Sequence, residues 1–565
     1  MSWSLIRLCL AATLAVFAAS APRAADEAKI TADIPVMHEE AKAAGIDHSY
    51  TGPWEFFVGG GVASFDCDGD RKPDLFFAGG KEAAKLYRNR SKIGGELQFE
   101  PVALDIGERY LTNVLGAYPL DIDDDGHMDL AVLRLGRNVL LKGGSDCSFA
   151  VANRAWAFDG GRAWTTAFSA IWEAEKKFPT LAFGNYVDRS APGSPWGTCH
   201  DNALMRSGPG ERPDYGDPLT LSPGYCALSM LFTDWNRSGE PSLRVSNDRQ
   251  YYRGGEEQLW HVPPGRPPTL YTRSDGWQTL RIWGMGITEG DLDADGYPEY
   301  ALTSMGDTKI QTLDREAEED RPVYRDIAFE RGATAHRPYA GGDRRPSTGW
   351  HSEFADINND SLLDLFIAKG NVEAMPDFAA TDPDNLLLAR WDDTFAEAGA
   401  EAGIALPRKG RGAAVVDLNL DGALDLVVVN RSKPVSVFRN CGARVGDTTR
   451  PLGNWLHIRL AQPAPNRNGI GAILNVKTGN HSMIRKLAVG GGHASGSAGW
   501  VHVGLGTAER AEVRVKWPDG FWSHPYRVFA NQFVVIARDA EKAAYWYPLD
   551  EAEAAATGKA APVPR

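Results

Sequence analysis

Five carboxylates fall within nine residues in the stretch DIDDDGHMD, and four of them, Asp121, Asp123, Asp125 and Asp129, stand at alternating loop positions 1, 3, 5 and 9, with Gly126 among them. Curled around one centre, they repel one another unless a cation lies between them. Carboxylates at positions 1, 3, 5 and 9, with the His127 backbone carbonyl at position 7, are hard oxygen ligands. Their number suits Ca²⁺, which takes roughly six to eight oxygens at about 2.3–2.6 Å, better than the tight octahedron of Mg²⁺. Gly126 has no Cβ and so permits the bend.

Related loops recur along the chain. Asp66, Asp68, Asp70 and Asp74 make a second set, with Arg71 in the glycine position. Asp291, Asp293, Asp295 and Glu299 make a third, and Asp417, Asn419, Asp421 and Asp425 a fourth. Asp356, Asn358, Asp360 and Asp364 make a fifth, with Ser361 in place of glycine. Asp234, Asn236, Ser238 and Ser242 retain a single carboxylate, so a hydrogen-bonded turn is the expectation there. About four to five structural Ca²⁺ ions are expected, tying strands together without the helices or the distant glutamate of an EF-hand.

The elements that carry these loops are legible in their spacing. Loop starts lie 55, 113, 57, 65 and 61 residues apart. The long interval spans two repeats, which predicts a degraded unit near Leu181 to Asp188 (LAFGNYVD). Strand-like runs follow the loops at Leu75–Ala78, Leu130–Leu133, Tyr300–Thr303, Leu365–Ala368 and Leu426–Val429, with echoes in LYRN, NLLL and VFRN. Such short strands cannot bury their faces singly. An all-β fold is predicted, with residues 26–441 forming seven four-stranded blades in a ring; an open solenoid is the alternative, but it needs caps that the sequence does not supply. After a connector at 442–452, alternation in WLHIRL, AILNV, WVHVGL, AEVRVKW and FVVIA predicts a small β-sandwich or barrel-like domain over 453–540. The Ala/Glu-rich and Pro/Ala-rich residues 541–565 read as a tail.

Residues 1–25 carry Arg7, an apolar run and small residues ending at Ala24 and Ala25, the pattern of a secretory signal peptide. No later run is long enough for a transmembrane helix. A secreted or periplasmic protein is expected. The formal charge is −14, becoming −16 without Arg7 and Arg23, which disfavours nucleic acid as a partner. Cys199 and Cys226 flank a Gly/Pro-rich insertion and are the expected disulfide. Cys147 with Cys441 is a further pairing to consider, and Cys67, inside an acidic loop, is expected to stay a thiol.

The repeat loops GVASFDCDGDRKPDL, GITEGDLDADGYPEY and GAAVVDLNLDGALDL, followed between Asn466 and Gly520 by NRNGIGAILNV, GGGHASG, VHVGLG and VKWPDG, give the chain a family resemblance. It resembles bacterial proteins related to cartilage acidic protein 1, which join integrin-α-like FG-GAP or VCBS repeats to a C-terminal ASPIC/UnbV domain. The resemblance implies a seven-bladed propeller with calcium on its loops. It leaves ligand and reaction open. The chain departs from the repeat signature at Asp234 to Ser242 and near Asn185.

Two further groups bear on function. The insertion from Arg189 to Met230 holds His200, Asp201 and Arg206, on a long loop of the kind that forms binding rims. His336, Arg337, Tyr339, Arg344, Arg345, Trp350, His351 and Glu353 combine arginines and aromatics suited to an anionic or sugar-like ligand. His336 or His351, paired with an acid such as Glu353, would make a general base, and inter-blade stacking and hydrogen bonding is the alternative. No GxSxG, HExxH, P-loop or dinucleotide motif is present. Recognition of a protein or glycan ligand is the expected function; a hydrolase or lyase acting on a carbohydrate or small anionic metabolite is the alternative.

Overall fold

The computed structural model describes residues 33–194, 197–248, 255–317, 321–334, 348–372 and 382–548. Among these residues the protein is all-β. Strands such as Val62–Phe65, Asp74–Phe77 and Val114–Leu120 are buried at every position, as strands covered on both faces must be. They assemble into seven successive four-stranded antiparallel sheets, whose innermost strands are Val62–Phe65, Val114–Leu120, Thr165–Ile171, Ala227–Thr233, Gly284–Gly290, Gly349–Ala355 and Gly410–Val416. Each innermost strand packs on the next, and Gly410–Val416 returns to Val62–Phe65, so the sheets form a propeller-like ring.

The last sheet is completed from the other end of the ring. Pro35–Glu39 pairs antiparallel with Ser436–Val445, Met37 opposite Asn440, and supplies its outer strand. This closure protects an edge that would otherwise be unpaired. Aromatic side chains pack between neighbouring sheets, as where Tyr118 meets Phe168 at 5.3 Å, and Phe168 in turn packs on Phe183 of its own sheet at 5.1 Å.

Three readings need correction. LAFGNYVD does lie in the degraded unit, the third sheet, but Thr180–Asn185 is its second strand, and the loop that lost its aspartates, keeping Glu173 and Glu175, is the preceding 172–179. The segment 442–452 is not simply a connector, because Ser436–Val445 runs into it and turns back as Thr448–Arg450. Cys67 is not a thiol and Cys147 does not pair with Cys441. Cys67 is bonded to Cys147, while Cys441 is free and half-buried. Cys67 occupies loop position 2, where its side chain is buried with both sulfurs within 4.8 Å of an Asp74 carboxylate oxygen, and the Cys147 N–H donates to the Cys67 carbonyl at 3.0 Å. The crosslink thus staples the first sheet to the second beside the position 9 acid. Cys199–Cys226 forms as expected.

Two four-stranded sheets follow the ring. Asn454–Ala461 lies between Val501–Gly506 and Gln532–Ala537, with Ala544–Trp546 at the edge; Ile473–Thr478 lies between His481–Lys486 and Arg510–Lys516, with Tyr526–Phe529 beyond. Leu456, Ile458, Leu474, Val476, Val513 and Val534 fill the space between them.

The loop joining Lys486 to Val501 enters the centre of the ring. Val489–Gly490 bonds to Thr165–Ile171 and Ala227–Thr233, joining two sheets into one of nine strands, and Gly496–Ser497 runs parallel to Val62–Phe65. Between them the Gly491 and Gly492 N–H groups donate to the Met230 and Ile287 carbonyls, both at 2.7 Å. The Gly59 N–H donates to His493 Nε2 at 3.2 Å, and the Val62 N–H to Ser495 Oγ at 3.0 Å. The loop can approach because the facing strands carry glycine: a Cβ on Gly61 or Gly116 would lie 1.8 or 2.1 Å from the Ala494 carbonyl oxygen.

Candidate metal centre and adjoining cleft

Each acidic loop joins an innermost strand to the second strand of its sheet, and all share one hydrogen-bond scheme. The position 1 carboxylate accepts the N–H groups of the turn: Asp121 takes Asp125 at 3.0 Å and Gly126 at 2.9 Å, Asp356 takes Asp360 at 2.9 Å and Ser361 at 2.8 Å, and Asp417 takes Asp421 at 3.1 Å and Gly422 at 2.7 Å. Position 6 has a left-handed backbone in every case, φ +91° at Gly126 but also +68° at Arg71 and +80° at Ser361. The loop geometry therefore overrides the missing glycine at those two sites.

Position 9 opens the second strand and acts as a buried strut. Asp74 accepts the N–H groups of Cys67 and Asn89, both at 2.8 Å, tying its loop to the third strand. Asp129 does the same with Ile122 (2.7 Å) and Gly143 (2.8 Å), Asp364 with Ile357 and Ala389, and Asp425 with Leu418 and Asn440, the last four all at 2.8 Å. The longer Glu299 takes the Leu292 N–H and reaches Thr312 Oγ1, each at 2.8 Å.

The acids converge. Carboxylate oxygens lie within 4.8 Å of one another in the sets Asp66, Asp68, Asp70; Asp121, Asp123, Asp129; and Asp291, Asp293, Asp295. Burial, reinforced by neighbouring carboxylates, raises Asp121 and Asp291 to about 6, Asp70 to about 7, and Asp74, Glu299 and Asp356 to about 8. Asp129, Asp364 and Asp425 are driven well above the carboxylate range for the same reasons. Buried oxygens of Asp123, Asp291 and Asn419 lack any hydrogen-bond partner. Hard acceptors in that state fit a divalent cation. These oxygen-rich clusters can hold metal, and His127, whose N–H bonds Asp125 Oδ1 at 2.9 Å, places its backbone at the turn expected to offer a carbonyl.

Protein cations compete at some loops. Lys142, from the third strand, pairs with Asp123 and with Asp125 at 2.5 Å, and Arg315 pairs with Asp295 at 2.6 Å. In the Asp234 loop, Asp234 takes the Gly239 N–H at 3.0 Å and Asn236 and Ser238 accept at 3.3 and 3.2 Å, so hydrogen bonds alone close that turn.

The other singled-out residues do not share one site. His200 and Asp201 precede the strand Asn202–Met205 and Arg206 follows it, which puts them at opposite ends. His200 lies 3.4 Å from Asp188, Asp201 accepts the Gly224 N–H at 2.7 Å, and Arg206 is bound to Glu173 at 2.6 Å. Trp350 is wholly buried beside the central loop, donating to the Gly370 carbonyl at 2.5 Å with Arg411 over its ring. His351 does lie 3.3 Å from Glu353, but its Nδ1 accepts the His493 N–H at 3.1 Å. With both ring nitrogens engaged, it has none left to act as a base. His336, Arg337, Tyr339, Arg344 and Arg345 lie outside the described residues.

A cleft of about 1250 Å³ opens between the ring and the C-terminal sheets. Glu173, Glu289 and Glu353, with Lys176 and Arg237, line its ring wall, and Arg485, Lys486, Lys516 and Arg538, with Asp519 and Asp539, the facing wall. Lys486 spans it to Glu289 at 2.7 Å. Sequence reasoning missed this basic wall, since its residues gain meaning only from the acids opposite.

Two family models match parts of the chain, one within the ring and one within the C-terminal sheets. The FG-GAP-like repeat model matches residues 66–132, and the ASPIC and UnbV model matches 462–543. The chain is similar to cartilage acidic protein 1 of Mus musculus, 28% identical over 245 residues (42% of this chain, 34% of that one), and of Homo sapiens, 31% over 174 residues (29% and 24%). These matches span about a third and a quarter of the relatives' lengths. Among solved structures, the crystal structure of BBS1N in complex with ARL6DN is similar at a TM-score of 0.40, with 10% identity, 74% of this chain and 100% of that chain covered. No helix among the described residues is long and apolar enough to cross a membrane.

Proposed function

We propose that this is an exported protein whose ring is held rigid by Ca²⁺ and presents a binding surface to a protein ligand in the periplasm or outside the cell. The observation that carries the reading is the repetition of converging carboxylates at matching places on the first, second and fifth sheets. Asp66, Asp68, Asp70 and Asp74; Asp121, Asp123, Asp125, Asp129 and the His127 carbonyl; Asp291, Asp293, Asp295 and Glu299; Asp356, Asn358, Asp360 and Asp364; and Asp417, Asn419, Asp421 and Asp425 are the residues that would hold the ions. The bound ion would neutralise their crowding. The signal-like residues 1–25 and two disulfides support an oxidising, exported setting.

The cleft supports recognition, since its facing acidic and basic walls suit a ligand carrying both charges. A catalytic role for His351 finds no support in its saturated ring. The test is capture from the exported protein fraction by calcium-loaded chain, repeated with EDTA and with Glu353→Lys. A partner lost under both conditions supports the reading, whereas capture indifferent to both, or no partner at all, refutes it.

A further inference from the structure

The acidic loops differ in what covers them. Asp295 is exposed and its carboxylate pairs within its own sheet, with Arg315. The Asp356 and Asp417 loops instead form the floor on which the C-terminal sheets rest. His457 donates from Nε2 to Asp417 Oδ2 at 3.0 Å, and His502 Nε2 meets Asn359 Oδ1 at 2.7 Å. The Gly506 N–H donates to the Asn359 carbonyl at 2.9 Å. A Cβ on Gly504 would lie 2.0 Å from Asp356 Oδ2, and one on Gly422 would lie 1.9 Å from the Trp455 indole. Asn359 Nδ2 donates to the Gly422 carbonyl at 2.9 Å and locks the two loops into one surface. Asp356 and Asn358 are each 1% exposed, and the half-buried Arg485 brings its positive charge to Asp356, Asp291 and Asp364.

We propose that the C-terminal domain docks onto the ring through these two loops, so that calcium in them and docking of the domain reinforce each other. The inference rests on the calcium reading above. The Gly504 backbone lies directly on the Asp356 carboxylate with no side chain between them, and the His457 ring lies on Asp417. An ion at the loop centre fixes Asp356, Asp360 and Asp417 in the shape that Gly504, His457 and Trp455 fit. Without it, repelling carboxylates stay buried beneath the domain, a costly arrangement that lifting the domain relieves. Coupling of this kind is reciprocal: docking tightens calcium at these loops by the factor that calcium tightens docking. His457 acts as a positioning residue, holding Asp417 by one oxygen.

Four amides report docking directly, because they bond across the interface: Gly491, Gly492, Ala498 and Gly506, to the carbonyls of Met230, Ile287, Ser64 and Asn359. Hydrogen exchange of the full chain is to be measured at these amides with calcium, with EDTA, and in Asp360→Ala and Asp295→Ala with calcium, alongside bound-metal analysis of each sample. EDTA and Asp360→Ala should each speed exchange about tenfold or more, while Asp295→Ala, in a loop whose outer carboxylate is exposed and pairs within its own sheet, leaves it near wild type. Calcium bound with exchange unchanged by Asp360→Ala overturns the coupling alone. Equal acceleration by both variants also overturns it, since loss of any ion would then loosen the whole ring. Absence of bound calcium overturns the calcium reading and this inference with it.

Discussion

Adding one methyl group at Gly61 should dislodge the loop that fills the centre of the ring. An alanine Cβ there lies 1.8 Å from the Ala494 carbonyl oxygen, and real Cβ atoms essentially never come closer than 3.0 Å, so Ala494 must withdraw by roughly 1.2 Å. Gly61 is not in the left-handed region, which leaves the collision as the only new cost. That displacement breaks the bond from the Ala117 N–H to Ala494 (3.2 Å) and stretches those to His493 (3.2 Å) and Ser495 (3.0 Å) on either side. At about 1 kcal/mol for the broken bond and about half that for each stretched one, with about 1–3 kcal/mol more for a buried N–H left orphaned, Gly61→Ala should lose about 3–5 kcal/mol. The assay is the urea unfolding midpoint of the full chain, with Gly306→Ala as control. The nearest atom to a Cβ on Gly306 is 3.5 Å away. The control should shift stability by less than about 0.5 kcal/mol. If Gly61→Ala also falls within that margin, the central loop does not bear on ring stability as argued.

Other consequences are measurable. Replacing Cys67 and Cys147 together by serine opens a crosslink spanning 80 residues and should cost about 4 kcal/mol in urea unfolding, while among the described residues of the native wild-type protein Cys441 should titrate as a thiol and the other four cysteines should not. Lys142→Met removes an ammonium that competes for Asp123 and Asp125 and should tighten calcium at the Asp121 loop severalfold by calorimetry; unchanged affinity would mean that Lys142 swings clear at no cost. Burial and repulsion raise Asp121 and Asp291 to about 6 and Asp74 and Glu299 to about 8, so folding takes up protons. The stability from this source is complete below about pH 4 and is lost as pH climbs through those raised values. Metal-free protein should therefore weaken between about pH 5 and pH 8, and the stabilisation added by calcium should grow across the same window, measured as Tm with and without EDTA.

The loops were legible because each is local: nine residues fix the turn, and Gly126, Gly296 and Gly422 mark its left-handed position. Arg71 and Ser361 broke that rule without breaking the turn, since the hydrogen bonds to Asp66 and Asp356 impose it. The strands were legible for the same reason, as runs such as Leu426–Val429 are apolar on both faces. The third sheet was misplaced by one strand because Glu173 serves Arg206 and Thr180 instead of a loop centre, leaving no acidic pattern to follow. The role of GGGHASG was hidden. Its partners, Gly59, Met230, Ile287 and His351, lie up to 434 residues away, and glycine is a signal only once the chain that presses on it is known. Cys67 was misjudged by treating its loop as isolated, when position 2 faces the neighbouring sheet.

Metal analysis of chain dialysed first against EDTA and then against micromolar calcium, with thermal unfolding of both samples, tests the central claim most directly. About four to five ions per chain in the second sample, and a Tm well above that of the first, are expected. Less than one ion per chain, with the two unfolding curves superimposed, would show that the acidic loops close without metal.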